Sequence, residues 1–218
     1  KQQMDRIYGE LAPREIPWNL DDPPALLVEL VDSGRVAPCD AVDLGCGAGS
    51  YAIWLAGRGF RVTGIDVSPK ALELATRLAE EKGAGCRFVV ADLTGELRDL
   101  PGRFDFAYDW SLLHHVFPEQ RGRDAANVHS LLRPGGTYLS VCFGEGDTGF
   151  DGTGKYRTTP LGTTLYFSSE QEVRELFEPL FHIKELRTIE VPGKEQPHMA
   201  VTALMTRRDP AAVEGTSP

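Results

Sequence analysis

The residues best suited to chemistry form a glycine loop with an aspartate just before it. The segment Asp43-Leu44-Gly45-Cys46-Gly47-Ala48-Gly49 follows an apolar run, and Asp66 ends the next such run. Glycine adopts positive φ without strain and lets a ligand approach the backbone closely. Loops of this kind often hold a phosphate at a helix N-terminus, but the carboxylate of Asp43 would repel one. The loop is therefore predicted to hold a ligand that is compatible with negative charge.

Two further aspartates follow strand-like runs, Asp92 after "CRFVVA" and Asp109 at the end of "FDFAYD". In an open parallel sheet, ligands lie outside the carboxyl ends of the strands. Four such ends carrying aspartate predict one acidic rim, suited to amines, hydroxyls and cations. The local alternatives are that Asp43 caps the following turn and that Asp92 and Asp109 are N-caps of the next elements.

Three other side chains are candidates for this rim. His114 and His115 are weak candidates for a general base because imidazole titrates near neutral pH. Alternatively they open a helix, with one ring facing the core. Trp18 in "EIPWNL" is either an ordinary core residue or part of a segment that covers the ligand. Beyond the two histidines, the sequence identifies no catalytic residue.

Length and composition predict one soluble domain over residues 1–218. The chain is 41% hydrophobic and 25% charged, and its net charge of −9 argues against nucleic acid as a partner. No apolar run approaches the roughly 20 residues of a membrane-spanning helix, so no membrane association is expected. The four cysteines lack the spacing of a zinc site or a disulfide framework, which predicts no metal and a cytoplasmic location. The oligomeric state stays open.

Apolar and β-branched runs alternate with helical ones, which is typical of an α/β fold with a parallel sheet. Strands are predicted at 41–44, 60–65, 86–92, 104–109, 137–143, 183–191 and 198–206, and helices at 24–33, 50–57, 69–82, 121–132 and 169–180. The clearest helix has Ser68 as N-cap, Pro69 at its first position and Gly83 as its stop.

Three segments lie outside this alternation. Residues 1–38 are predicted to form an N-terminal cap segment, and residues 207–218 a polar tail. Residues 144–168 are rich in glycine and threonine, and loops of this length are usually functional or mobile. Because they follow the fifth strand, they are a candidate lid over the same rim.

From Val42 to Cys142 the sequence resembles the class I S-adenosylmethionine-dependent methyltransferases. The motifs that carry the resemblance occur in the family's order: "VDLGCGAGS", "VTGIDVSPKALELA", "VVADL", "FDFAYDWSLLHHV" and "LLRPGGTYLSV". The resemblance implies a Rossmann-like, doubly wound, mostly parallel sheet of seven strands, with helices on both faces and the last strand antiparallel. It also implies S-adenosylmethionine as methyl donor.

The resemblance further implies which residues contact the donor. The glycine loop would hold the methionine part, Asp66 the ribose hydroxyls, and Asp92 with Leu93 the adenine. Asp109 would line the methionine end, and His115 would border the adenine or the acceptor. The full expected set is Trp18, Asp43, Gly45, Cys46, Gly47, Gly49, Asp66, Val67, Asp92, Leu93, Asp109 and His115.

The expected function is methyl transfer to a small-molecule acceptor. The Pro-Trp pair at Trp18 also resembles thiol, thiopurine and tellurite-resistance methyltransferases, which favours a thiol or another soft nucleophile. Two alternatives stay open: a regulatory module that binds S-adenosylmethionine without turnover, and a nucleotide-dependent oxidoreductase.

Overall fold

A computed structural model describes residues 2–20, 22–97, 100, 102–150 and 153–209. The strands are β1 Asp40–Leu44, β2 Arg61–Asp66, β3 Arg87–Val90, β4 Phe104–Trp110, β5 Leu132–Phe143, β6 Tyr156–Thr158, β7 Thr164–Tyr166, β8 Phe181–Val191 and β9 His198–Arg207. The helices are α1 Gln2–Glu10, α2 Ala25–Asp32, α3 Ser50–Ala56, α4 Pro69–Lys82, α5 Pro118–Leu131 and α6 Glu170–Phe177, with 3₁₀ turns at Pro13–Glu15 and Leu113–His115.

Seven strands form one sheet in the order β3-β2-β1-β4-β5-β9-β8. The strands β1 to β5 pair in parallel, and β9 runs antiparallel to both β5 and β8. The predicted mostly parallel, seven-stranded sheet with an antiparallel last strand is confirmed. Because parallel neighbours need crossover connections, the helices between them cover the sheet faces.

Side chains that alternate along each strand divide the core between the two faces. On β1, Val42 and Leu44 belong to the apolar cluster that includes residues of α5 and α6. Ala41 belongs to the cluster on the other face, which includes residues of α2 and α3. This period of two places adjacent residues of a strand on opposite faces.

The start of α4 fixes the chain just after β2. The Ser68 hydroxyl accepts a hydrogen bond from the Ala71 N–H, Pro69 occupies the first turn, and Gly83 takes a left-handed conformation at the end. The predicted cap, first-turn proline and glycine stop are all confirmed. This ending of β2 positions Asp66 beside the glycine loop.

Two elements are additional to those predicted. The helix α1 lies in the N-terminal segment, and β6 and β7 form a separate hairpin within the candidate lid. Other boundaries shifted: α5 begins at Pro118, and β5 begins at Leu132 because that residue already pairs with Phe104 of β4. Residues 151–152 of the lid and 210–218 of the polar tail lie outside the described residues.

Candidate functional site

The glycine loop after β1 is fixed to the end of β2 by its own amides. The N–H groups of Gly45 and Cys46 donate to the Ile65 carbonyl at 2.7 and 3.0 Å. The Gly47 N–H donates to Asp66 Oδ2 at 2.9 Å. These three donors are therefore used inside the protein and do not form a phosphate cradle.

Close neighbours require glycine at two loop positions. Gly45 and Gly47 have φ values of 71° and 52°. A Cβ at Gly45 would lie 2.8 Å from Leu112 Cδ1, and a Cβ at Gly47 would lie 2.4 Å from the Tyr8 hydroxyl oxygen. A side chain at Gly45 would therefore collide with the turn before α5, and one at Gly47 would collide with α1.

Asp43 carries a buried carboxyl with one oxygen left unused. The Tyr108 hydroxyl and the Ala52 N–H of α3 lie near this carboxyl and lower its pKa, but among the described residues Oδ2 makes no hydrogen bond of normal geometry. Burial raises the pKa of Asp43 to about 7, because a charged carboxylate loses hydration there. An acceptor of this kind has room for a donor from a ligand beside the Tyr108 hydroxyl, and a cationic amine would be such a donor.

Asp66 organises the same corner of the site. Its Oδ1 accepts from the Ser68 N–H at 2.8 Å, and its Oδ2 accepts from Gly47. Burial raises the pKa of Asp66, and the backbone hydrogen bonds oppose that shift. Each carboxylate oxygen has a second lone pair, so Asp66 retains capacity for ribose hydroxyls. Val67 follows it, half-buried.

The four aspartates do not form the single rim that the sequence predicts. Asp43 pairs with Tyr108 and Leu44 pairs with Asp109 in the parallel register of β1 and β4. Asp43 and Asp109 therefore point to opposite faces of the sheet. The structure brings Asp43 and Asp66 to the glycine loop and directs Asp109 away from Asp43.

Asp109 and Asp92 both accept hydrogen bonds from nearby groups of the chain, but neither is the helix N-cap that the local alternative proposed. Asp109 is buried, and its carboxylate accepts from the Tyr138 hydroxyl at 2.7 Å and from the Leu113 N–H at 3.3 Å. Asp92 is exposed, and its Oδ1 accepts from the backbone and hydroxyl of Thr94. Leu93 beside it is buried.

The N-terminal segment covers the glycine loop. Tyr8 of α1 lies over Gly47, and the Trp18 indole N–H donates to the Tyr8 hydroxyl at 2.7 Å. The Trp18 and His115 rings are in edge contact, with centroids 6.3 Å apart. Sequence reasoning identified Trp18 and missed Tyr8, since Tyr8 belongs to no motif and its role depends on where α1 packs.

Neither histidine of the pair is set up as a base. Buried His114 accepts a hydrogen bond from the Phe143 N–H at Nδ1, 3.2 Å away. Burial lowers the pKa of His114 well below its usual value and that of His115 to about 4. Both rings are therefore neutral and weakly basic at pH 7.

The candidate lid is held by one buried cation. The Arg157 guanidinium donates to the carbonyls of Glu145, Asp147, Gly149 and Gly154 and stacks 3.9 Å from the centre of the Phe167 ring. Leu161 packs against the cluster formed by α1 and the glycine loop. The lid therefore contacts the N-terminal segment above the site.

An open depression of about 610 Å³ lies at the other end of the sheet, near the amino ends of the parallel strands. Its lining includes Asp40, Arg61, Arg87, Arg103 and Arg133. Asp40 ion-pairs with Arg61 and Arg133 there. Ligands of open parallel sheets bind at the opposite end, so we do not assign this depression to the donor.

Part of the chain matches a known protein family. Residues 41–136 match the model described as "Methyltransferase domain", and this range includes the glycine loop, Asp66 and the pair of histidines. Over residues 41–136, which are less than half of the chain, the sequence is similar to S-adenosylmethionine-dependent methyltransferase domains. The residues present fit the donor, because Asp43 Oδ2 is a buried acceptor that makes no hydrogen bond of normal geometry within the described part of the chain, and the glycines leave no room for side chains.

Three known proteins are similar to this chain. A 2-heptyl-1-hydroxyquinolin-4(1H)-one methyltransferase of Mycobacteroides abscessus is 30% identical over 66% of this chain and 64% of its own length. Thiocyanate methyltransferase 1 of Brassica oleracea is 30% identical over 58% of this chain and 56% of its own length. The chain thus spans less than two thirds of these relatives.

The third is a solved structure described under "Conversion of a Disulfide Bond into a Thioacetal Group during Echinomycin Biosynthesis". Its TM-score is 0.80 at 26% identity, over 94% of this chain and 91% of that chain. The overall fold is therefore shared over nearly the whole chain.

Among the described residues, no helix is both long and apolar enough to cross a membrane, and no group of histidine, cysteine, aspartate and glutamate is arranged to hold a metal ion.

Proposed function

We propose that the protein transfers a methyl group from S-adenosylmethionine to a small-molecule acceptor. One observation carries this proposal. The N–H groups of the glycine loop donate to the Ile65 carbonyl and the Asp66 carboxylate, and the Asp43 carboxyl still has an oxygen that can accept a hydrogen bond. A dinucleotide would bring phosphates to a loop in which the N–H groups of Gly45, Cys46 and Gly47 are already engaged. This arrangement disfavours a nucleotide-dependent oxidoreductase and suits a cationic ligand.

The protein's own residues bind and orient the reactants. When bound, S-adenosylmethionine supplies a methyl group on a positively charged sulfur. Asp43 Oδ2 would accept from the amino group of the donor, and Asp66 would accept from ribose hydroxyls. The remaining residues of the expected donor set, including Trp18, Asp92 and His115, stay part of this proposal. Alignment of two bound reactants can supply about 7–11 kcal/mol, so the reaction needs no catalytic triad.

The cover over the site supports a small acceptor rather than a macromolecule. Tyr8, Trp18 and Leu161 enclose the glycine loop from above. An enclosing lid excludes water and aligns the acceptor. The packing of the described lid residues above the site also favours an enzyme with turnover rather than a purely regulatory binding module. The net charge of −9 opposes the approach of nucleic acid.

The first acceptor class that we propose is a sulfur nucleophile. Its support is the Pro-Trp pair at Trp18 and the relatives named for thiocyanate methylation and for thioacetal formation. A thiolate attacks without a strong base, which agrees with the neutral His114 and His115. The four cysteines of the chain are free thiols, so we propose a reducing, cytoplasmic setting.

The second acceptor class is a hydroxylated aromatic ring. Phe143, Phe150 and Phe167 form a ring cluster at the carboxyl end of β5 and in the lid. Flat apolar rings of this kind bind aromatic ligands by stacking. The relative named for a hydroxyquinolinone supports the same class.

A labelled-donor assay tests the proposal. The protein is incubated with methyl-labelled S-adenosylmethionine and separate panels of small thiols, phenols, amines, protein and RNA. We expect label in thiols or phenols and none in protein or RNA. Label confined to the macromolecules would overturn the small-molecule proposal. No transfer to any panel, with tight donor binding in calorimetry, would favour the regulatory module.

A further inference from the structure

The depression at the amino ends of the parallel strands lies where one connection lacks a helix. Helices between parallel strands normally cover a sheet face, but between β3 and β4 the described residues form none. The face near the start of β2 and β3 therefore stays open. The depression has a volume of about 610 Å³, within the roughly 300–1,000 Å³ of small-molecule sites.

Strand register places four polar side chains of this depression on one face of the sheet. Arg61 and Thr63 are two residues apart on β2, and Arg87 of β3 is the register partner of Thr63. Asp40 of β1 is the partner of Arg61. Side chains two apart along a strand, and those of paired residues, share a face. All four therefore border the same space.

Two carboxylates hold two of the arginines in position. Asp40 accepts from Arg61 Nε at 2.6 Å and from Arg133 Nη2 at 3.0 Å. Asp105 accepts from Arg133 Nη1 at 2.5 Å. A guanidinium group has five N–H donors, so Arg61 and Arg133 keep donors for a further anion while the carboxylates fix their orientation.

The other two arginines have no carboxylate partner within the described part of the chain. Arg87 and Arg103 are exposed and line the depression, and neither forms an ion pair with a described residue. Together the four arginines, Asp40 and Asp105 carry a local charge of +2, in a protein whose net charge is −9. Arginines gathered in one depression repel each other, and an anion between them relieves that repulsion.

A buried hydroxyl adds a neutral donor to the depression. Thr63 is 8% exposed, and its hydroxyl makes no hydrogen bond to any residue that the structure describes. Buried polar groups in folded proteins normally have a partner, and a ligand oxygen would provide one here. Val62 and Phe104, both buried, form apolar walls. The lining thus combines guanidinium groups, a hydroxyl and apolar surface.

We propose that this depression is a second ligand site, which binds a small molecule that carries a chain of two or three phosphates. Guanidinium groups match the geometry of phosphate oxygens and donate two hydrogen bonds at once. The arginines come from β2, β3, β5 and the residue before β4. An anion with several charges along its length therefore contacts more of them than a single phosphate or carboxylate does.

This site is separate from the proposed donor site and does not rest on the proposed function. Arg61 and Asp66 are the first and last residues of β2, and five steps of about 3.3 Å place them about 17 Å apart. The net charge of −9 repels a long polyanion such as RNA, whereas a nucleotide-sized ligand fits inside the depression. A small polyphosphate is therefore favoured over a nucleic acid.

Calorimetry with inorganic tripolyphosphate tests the site directly. The intact protein should bind one equivalent, with weaker binding of pyrophosphate and weaker still of orthophosphate. Arg87→Gln and Arg103→Gln should each weaken tripolyphosphate binding by about 10-fold or more, because each removes charge-assisted hydrogen bonds. Thr63→Val, which removes only a hydroxyl, should weaken it by a smaller factor. The matched control is Arg77→Gln on the exposed side of α4, which should bind as wild type does.

Several results would overturn the proposal. Wild type could show no saturable binding of tripolyphosphate, or equal affinity for orthophosphate and tripolyphosphate. Arg77→Gln could weaken binding as much as Arg87→Gln, which would indicate general charge attraction. An RNA oligonucleotide that binds more tightly than tripolyphosphate, and that is weakened by Arg87→Gln and Arg103→Gln, would indicate a nucleic-acid surface instead.

Donor binding distinguishes this site from the proposed function. Arg87→Gln and Arg103→Gln should bind S-adenosylmethionine with wild-type affinity, and Asp66→Ala should bind tripolyphosphate with wild-type affinity. Competition between tripolyphosphate and S-adenosylmethionine would place the polyphosphate at the glycine loop and contradict a second site. Failure of wild type to bind S-adenosylmethionine would instead defeat the proposed function, and tripolyphosphate binding that persists there would still support this site.

Discussion

At the scale of single residues, the buried carboxyl of Asp43 links ligand binding to pH. Its pKa is raised from 3.8 to about 7. Between these two pH values the folded protein therefore holds a proton on Asp43 that the unfolded chain has released. The stability contributed by Asp43 is therefore present at low pH and is lost as pH rises through about 7. A bound cationic ligand would offset the free-energy cost of ionising Asp43 in the folded protein.

Asp43→Asn should separate these two effects. Relative to wild type, the variant should gain in free energy of unfolding between pH 4 and pH 8, because the amide cannot ionise in its buried position. Its affinity for S-adenosylmethionine should be lower than wild type at pH 8, and the difference should shrink at pH 5, where wild-type Asp43 is protonated. Denaturant unfolding and calorimetry at each pH measure both quantities.

Asp32→Asn is the control, since Asp32 lies exposed at the end of α2. Its unfolding free energy and donor affinity should follow wild type at every pH. Donor binding by Asp43→Asn that equals wild type at pH 8 would show that the carboxylate does not contact the ligand.

At the scale of elements, the conformation of the candidate lid depends on the Arg157 side chain more than on hydrogen bonds between the lid's own backbone groups. One planar guanidinium supports four carbonyls from separate turns, and a lysine ammonium cannot reproduce that geometry. Arg157→Lys should leave buried carbonyls unpaired, at about 1–3 kcal/mol each. We expect faster amide hydrogen exchange across 145–158 and slower methyl transfer, with donor affinity close to wild type.

The matched change is Arg174→Lys on the exposed side of α6, which should alter neither exchange nor transfer. If Arg157→Lys leaves exchange in the lid unchanged, the hairpin is held by other contacts, and the structural role assigned to Arg157 is wrong.

At the scale of the whole molecule, a ligand that binds only the folded state must raise its melting temperature. A donor present at about 100 times its Kd adds roughly 2.7 kcal/mol, which for a chain of this size corresponds to a rise in Tm of about 5–10 °C. We expect this rise with S-adenosylmethionine or its demethylated product. A scan in which NAD or ATP stabilises the protein and neither adenosyl compound does so would refute the donor assignment.

Much of the fold was determined by local sequence. The α4 helix follows from Ser68, Pro69 and Gly83, whose backbone preferences act over a few residues. The glycine loop was predictable for the same reason, because glycine adopts without strain the positive φ values that occur at Gly45 and Gly47. Strand alternation along β1 to β5 likewise required no knowledge of distant contacts.

The remainder was decided by pairings between distant parts of the chain. Asp43 and Asp109 occupy similar places near their strand ends, but the register of β1 with β4 directs them to opposite faces. Tyr8 covers Gly47 only because α1 packs across the site. Asp147 and His198 meet because β9 runs antiparallel to β5. Strand register and helix docking follow from burial summed over the whole core, so no local motif contains them.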